Sequence, residues 1–240
     1  MNISLIIPAY NEEKYITTCL RSIAEHGQGF FEVIVVNNAS TDNTGSIVQS
    51  FISQIPALHP VYEPHKGLPY ARICGLNKAT GEIVVFIDAD CKIVSGWYDR
   101  IFTEFQNKKD LMSLSGPYRY YDLAPVSNIL AQVGWWLSAP LAHAVVGYTI
   151  LLGNVAIRKQ ALDSIGGFNT EIPFYGDDTD LARRLSALGN VDFRMNFFVY
   201  TSSRRLQKEG LFKTFWIYGV NFVWEVIFKK PYTHEYKNIR

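Results

Sequence analysis

Cysteine is scarce in this 240-residue chain: Cys19, Cys74 and Cys91 are the only three, and no two form a CxxC pair. That excludes a disulfide framework and a thiolate zinc site, and it fits a reducing compartment. Neither sign of charge is in excess. Twenty-three Lys and Arg stand against 22 Asp and Glu, a net charge of +1, which excludes a protein that binds nucleic acid by neutralising phosphates over a broad surface. No GxGxxG follows a strand-like run, which argues against a dehydrogenase. No glycine- and basic-rich phosphate loop follows the first such run, where a nucleotidyltransferase would place one. Internal repeats and low-complexity linkers are absent. The opening Met1-Asn2-Ile3-Ser4-Leu5-Ile6-Ile7-Pro8 has no basic segment ahead of a long apolar stretch and reads at once as a strand, so the expected location is the cytoplasm.

Apolar and aromatic residues are abundant. Hydrophobic residues make up 48% of the chain, with 15 Phe, 14 Tyr and 5 Trp, enough to exclude disorder and to build a substantial core. Short β-branched runs alternate with helical patterns in the first half, which predicts βαβ units and a mostly parallel sheet. Leu5–Pro8, Val33–Val36 and Ile83–Ile87 are the expected strands. Ile16, Leu20 and Ile23 recur at helical spacing, with Asn11 as the expected N-cap and Glu12 and Glu13 in the first turn. A second helix is expected to carry Ile47, Phe51 and Ile55 after the capping-rich Ser40-Thr41-Asp42-Asn43.

Ligands of such sheets bind beyond the carboxyl ends of the strands, and here polar residues gather at those ends. Pro8-Ala9-Tyr10-Asn11-Glu12 follows the first strand, Asn37-Asn38-Ala39-Ser40 the second and Asp88-Ala89-Asp90 the third. Alternation along a strand would turn Asp88 and Asp90 to one face, where carboxylate oxygens suit Mg²⁺ or Mn²⁺ and leave room for phosphate. A second acidic run, Phe174-Tyr175-Gly176-Asp177-Asp178-Thr179-Asp180, opens a helix expected to carry Leu181, Leu185 and Leu188 on one face. Acids in a first turn satisfy the helix dipole, but three are more than a cap requires. A carboxylate held there can take a proton from an attacking hydroxyl. The five histidines, His26, His59, His65, His143 and His234, are scattered without ligand spacing.

Taken in order, these stretches, with Gly67, Ala71-Arg72 and Gly81-Glu82, resemble the nucleotide-binding half of a family 2 glycosyltransferase with a GT-A fold. Gly153-Asn154-Val155-Ala156-Ile157-Arg158, Gly166-Gly167-Phe168 and the run from Asp177 to Leu185 are similar to its acceptor half. The resemblance implies one α/β GT-A domain over 1–205, with a donor half (1–92) and an acceptor half (93–205), and a helical, membrane-proximal extension over 206–240. It implies transfer of a sugar from a nucleotide-diphosphate donor to an acceptor hydroxyl, usually with inversion and with a Mg²⁺ or Mn²⁺ ion on Asp90 and Asp88. Asp178 is implied as the base, with Asp177 as the alternate. Pro8, Ala9, Tyr10, Glu12, Asn37, Arg72, Asp88, Ala89 and Asp90 are implied on the donor side, and Gly153, Asn154, Trp135 and Trp136 on the acceptor side. Two departures stand out. Asn37 occupies a place where the family usually has Asp, and Tyr200-Thr201-Ser202-Ser203-Arg204-Arg205 lacks the histidine often found there, so Arg204 or Arg205 is expected on the diphosphate. A fold that keeps donor binding but has lost its chemistry is the alternative these departures suggest; intact Asp88, Asp90, Asp177 and Asp178 argue against it.

From Leu123 to Ile157 there are 35 residues without an Asp, Glu, Lys or Arg. Length permits a membrane span, but Pro140, Gly147, Gln132 and His143 interrupt it, and Thr149–Arg158 reads as a strand. The expectation is an amphipathic or buried helix holding Trp135 and Trp136 beside the acceptor cleft or at the membrane interface. From Arg204 to Arg240 eight basic residues face three acidic ones, so this tail is +5 and the rest −4. A helix from Leu211 through Phe228, ended by Lys229-Lys230-Pro231, is expected there. A lipid-linked or glycan acceptor and a peripheral contact on the cytoplasmic face of a membrane follow as expectations.

Overall fold

The computed structural model describes residues 1–170, 172, 176–230 and 232–233. Phe174, Tyr175, Pro231, His234 and the last residues of the tail lie outside them. The donor half runs β1 (Ile3–Ala9), α1 (Ile16–His26), β2 (Glu32–Asn37), α2 (Thr44–Ser50), β3 (Leu58–Tyr62), α3 (Leu68–Lys78) and β4 (Ile83–Ile87). There follow α4 (Trp97–Asn107), β5 (Leu111–Ser115), β6 (Tyr118–Tyr120), α5 (Pro125–Val146), β7 (Asn154–Arg158) and α6 (Lys159–Ser164). The remainder is α7 (Asp177–Ser186), β8 (Asn190–Phe193), β9 (Val199–Thr201), α8 (Arg204–Glu209) and α9 (Leu211–Phe228).

Seven strands form one sheet in the order β3-β2-β1-β4-β7-β5-β8. Every pairing is parallel except those of β7, which runs against both β4 and β5. β6 and β9 form a separate parallel pair. Helices cover both faces, which is why β1, β2 and β4 read as nearly unbroken apolar runs. Alternation sends Ile3, Leu5 and Ile7 to the side of α1 and α4, where Leu20, Ile23 and Ile101 meet them. Ile6, Val36, Val84 and Phe86 point the other way, onto Ala71, Leu162, Leu181 and Leu185 of α3, α6 and α7.

Several local expectations are corrected. Asn11 is not a cap: it has φ 52° and lies ahead of α1, and its Oδ1 accepts from Thr41 N at 2.8 Å. Glu13 Oε2 accepts from Asn43 Nδ2 at 2.9 Å. Asn11 and Glu13 thus strap the loops after β1 and β2 together, and α1 has no acid in its first turn. α2 stops at Ser50, so Phe51 and Ile55 reach the core from beyond its end. β3 adds a strand beyond the three expected, and it tolerates Pro60 because it lies at the sheet edge. The strand expected over Thr149–Arg158 shortens to β7, and Leu188 falls outside α7, exposed.

α9 packs across the start of α7. There Glu225 is buried and neither carboxylate oxygen has a hydrogen-bond partner among the described residues. Burial, helped by Asp180 and opposed by Arg183, raises its carboxyl to about 7. The native state therefore holds a proton that the unfolded chain releases, and that stability is lost as pH rises through about 7. Glu225→Gln is expected to raise Tm at pH 8 and to leave it nearly unchanged at pH 4, below the ordinary carboxyl value, as read by thermal denaturation at the two values.

Candidate active site

A cleft of about 350 Å³ opens beyond the carboxyl end of β4, with α5 and α9 on its far side. Arg72, Asp88, Asp90, Trp135, Gly153, Asp177, Asp178, Arg204 and Arg205 all line it. These residues come from six separate stretches of chain, and the fold brings them to one place.

Asp88-Ala89-Asp90 is a turn rather than a strand continuation, closed by Cys91 N donating to Asp88 O at 2.9 Å. The turn, not the pleat, converges the carboxylates, while Ala89 faces the core. Ligand atoms of Asp88, Asp90 and Cys91 lie within 4.8 Å of one another. Burial pushes the Cys91 thiol far above its ordinary range, so it stays protonated. The hard donors are then two carboxylates, a set that fits Mg²⁺ or Mn²⁺ with coordination positions left for a ligand's phosphate. Close backbone approach completes the floor: a Cβ on Gly153 would fall on the Asp88 carboxylate and the Tyr118 hydroxyl.

Asp90 is itself enclosed. Thr201 Oγ1 donates to its Oδ1 at 3.1 Å, and Arg204 Nη2 sits 3.0 Å from its Oδ2. The same guanidinium donates to both oxygens of buried Glu12 at 2.7 Å and lies 4.7 Å from the centre of the Tyr15 ring. Burial lifts the Asp90 carboxyl to about 7 despite the Arg204 charge.

Also lining the cleft, Gly176 at φ 89° begins α7 and sets the two acids in its first turn. They are not equivalent. Arg72 Nη1 donates to Asp177 Oδ2 at 2.5 Å, which commits Asp177 to an ion pair. Asp178 accepts from Thr179 N at 2.8 Å, and burial followed by the Asp177 charge lifts its carboxyl to about 7. That value suits a base working near neutral pH. Asp180 turns away, held by Arg183 and Arg184.

Other expected site residues lie elsewhere. Pro8 and Ala9 are buried in β1 and offer a ligand only backbone. Tyr10 is half-buried beside Lys66, 5.4 Å from its ring centre. Asn37 Oδ1 accepts from Ser40 N at 3.1 Å, so it shapes its own loop. Asn154 is fully buried and donates to Gly116 O and Phe197 O, which places it under the cleft rather than in it. Trp136 turns to solvent while Trp135 faces inward. Arg205 pairs with Glu209 at 3.5 Å on the rim. Tyr118, Tyr121 and Thr201 surround the Asp88–Asp90 turn and were not anticipated, because no local pattern marks them.

GlyG, a glycosyltransferase of Streptococcus pneumoniae serotype 4, is 30% identical over 121 residues, half of this chain and 40% of that protein. The chain spans less than half the length of several such relatives. Among solved structures, the mannosyltransferase PcManGT from Pyrobaculum calidifontis, in complex with GDP-Man and Mn²⁺, superposes with TM-score 0.67 at 24% identity, covering 89% of this chain and 63% of that one. TarS 1-349 of S. aureus, in complex with UDP-GlcNAc, gives 0.65 at 22% identity, covering 84% and 58%. These likenesses establish the GT-A fold. The model described as glycosyl transferase family 2 matches residues 4–138, more than half the sequence, and the chain belongs to that family.

Proposed function

We propose that the protein transfers a sugar from a nucleoside-diphosphate donor to an acceptor hydroxyl, with inversion at the anomeric carbon. The observation that carries this reading is that the Asp88–Asp90 turn and Asp178, from the donor and acceptor halves of the chain, line one cleft. The family membership and the nucleotide-sugar complexes of PcManGT and TarS support the donor class.

Asp178 accepts the proton of the acceptor hydroxyl as its oxygen attacks the anomeric carbon. The bond from that carbon to the diphosphate oxygen breaks, and its electron pair leaves on the diphosphate. Attack from the side opposite the leaving group inverts the centre. Arg72 fixes Asp177 and so keeps the start of α7 in place beside Asp178. Arg204 lies where its fork can take diphosphate oxygens. A divalent ion held by Asp90 and Asp88 would supply the positive charge that makes the diphosphate a better leaving group. The outer wall of the cleft, made by Trp135, Ala139, Phe215 and Phe222 of α5 and α9, is apolar and suits an acceptor with a lipid-linked or glycan portion.

Nucleoside diphosphates and nucleotide sugars, with and without Mn²⁺, are expected to raise Tm selectively for one nucleobase and more strongly with the metal. A folded protein whose Tm responds to none of them would remove the donor reading.

A further inference from the structure

We infer that the outward faces of α5 and α9 dock on an anionic lipid bilayer. Both helices are two-sided in an unusual sense. α5 turns Trp135, Ser138, Ala139 and Ala142 to the cleft, and α9 turns Thr214, Phe215, Tyr218 and Phe222 to it. Their opposite faces are apolar too. Only Ala131 and Ala139 of α5 are buried, while Ile129, Val133, Trp136, Leu137 and Leu141 form an exposed stripe at helical spacing. On α9, Trp216, Val223 and Ile227 continue the exposed apolar surface, and Trp135 meets Phe215 where the two helices touch.

Charge selects the occupant. α5 carries none, the one acid of α9 is Glu225, and that residue is buried. The exposed cations are Lys213 on α9 and Lys229 and Lys230 directly after it. A surface of apolar side chains, two exposed tryptophans and lysines, with no exposed acid on either helix, complements anionic headgroups over acyl chains. A second copy of the same face would oppose these lysines with no carboxylate to meet them. α5 is long and apolar enough to cross a bilayer, yet its first half is tied to β6: Asn128 Nδ2 donates to Tyr120 O at 3.2 Å and Gln132 Nε2 to Tyr118 O at 3.3 Å, and further on Trp135 and Ala139 line the cleft. It therefore lies on the membrane surface instead of spanning it. The inner faces of the same two helices line the cleft, so docking their outward faces holds the cleft beside the membrane, and the anionic cytoplasmic leaflet is the surface of matching chemistry.

The test needs no donor or acceptor and so is independent of the transfer reading. The full chain is sedimented with phosphatidylcholine vesicles, with or without phosphatidylserine. Binding is expected only to the anionic vesicles and is expected to weaken with salt. Replacing Lys213, Lys229 and Lys230 by Ala should reduce it roughly a hundredfold at low salt, since each lysine near an anionic surface contributes about fivefold. Trp136→Ser with Trp216→Ser should reduce it while the cooperative thermal unfolding transition is retained, which shows that the variant is folded. Equal recovery in the supernatant with both vesicle types overturns the inference. So does a sedimentation-velocity dimer that the two tryptophan substitutions dissociate, since that assigns the face to a second copy.

Discussion

Asp178→Asn is expected to lower the transfer rate by about 10²–10⁴-fold, the range of a lost general base, while the thermal shift given by nucleotide and metal is retained. The substitution keeps size and keeps an oxygen able to accept from Thr179 N, so the start of α7 is preserved. What disappears is the basic oxygen facing the cleft. Because burial lifts the Asp178 carboxyl to about 7, the wild-type rate should climb with pH below that value and level off above it. The residual rate of the variant should lack that rise. Asp177→Asn acts differently. It breaks the pair with buried Arg72, so its expected signature is a loss of stability on the order of several kcal/mol, read as a lower Tm. A rate in Asp178→Asn close to wild type, or a loss of nucleotide binding equal to the loss of rate, would remove Asp178 from the role of base.

The second large effect concerns Arg204. Its guanidinium rests on Asp90, one of the two carboxylates proposed to hold a divalent ion, and is anchored to Glu12. With no nucleotide present, guanidinium and metal compete for one oxygen. A diphosphate offers Arg204 another anionic partner and relieves that competition, so nucleotide and metal should each strengthen the other's binding. Arg204→Gln should raise the affinity for Mn²⁺ alone by about tenfold, the scale of one charge-assisted hydrogen bond. It should weaken nucleoside-diphosphate binding by a comparable factor. Free Mn²⁺ counted by electron paramagnetic resonance, with and without nucleotide, reads both. An unchanged or lower Mn²⁺ affinity without nucleotide would show that Arg204 does not guard Asp90.

What could be read in advance was local. Apolar runs ending in small polar residues marked β1, β2 and β4 and the cleft beyond them, and the motif order marked the family. Pairings distant in sequence left no local trace. Glu12 and Arg204 are 192 positions apart, and Arg72 and Asp177 are 105 apart. No periodicity announces either pair, yet the first decides how Asp90 is screened and the second decides which of two adjacent acids is free to act. Asn11 shows the converse. Its type and position suggested a cap, but the loops after β1 and β2 had more to gain from its side chain than the helix did. Trp135 and Trp136 could not be separated by type either, since a step of one residue along α5 turns one ring to the cleft and the other to solvent.

The antiparallel strand β7 has a consequence for how the chain assembles. β3, β2, β1 and β4 are neighbours drawn from the first 87 residues and can pair as they emerge. β5 is complete at residue 115, but its route into the sheet runs through β7, which begins only at Asn154. Until then β4 is an unpaired edge of five apolar residues, and closing the gap means ordering a loop of more than sixty residues that includes all of α5. Nascent chains are therefore vulnerable at one moment, between completion of β4 and arrival of β7, and the strand that completes the cleft floor also seals that edge.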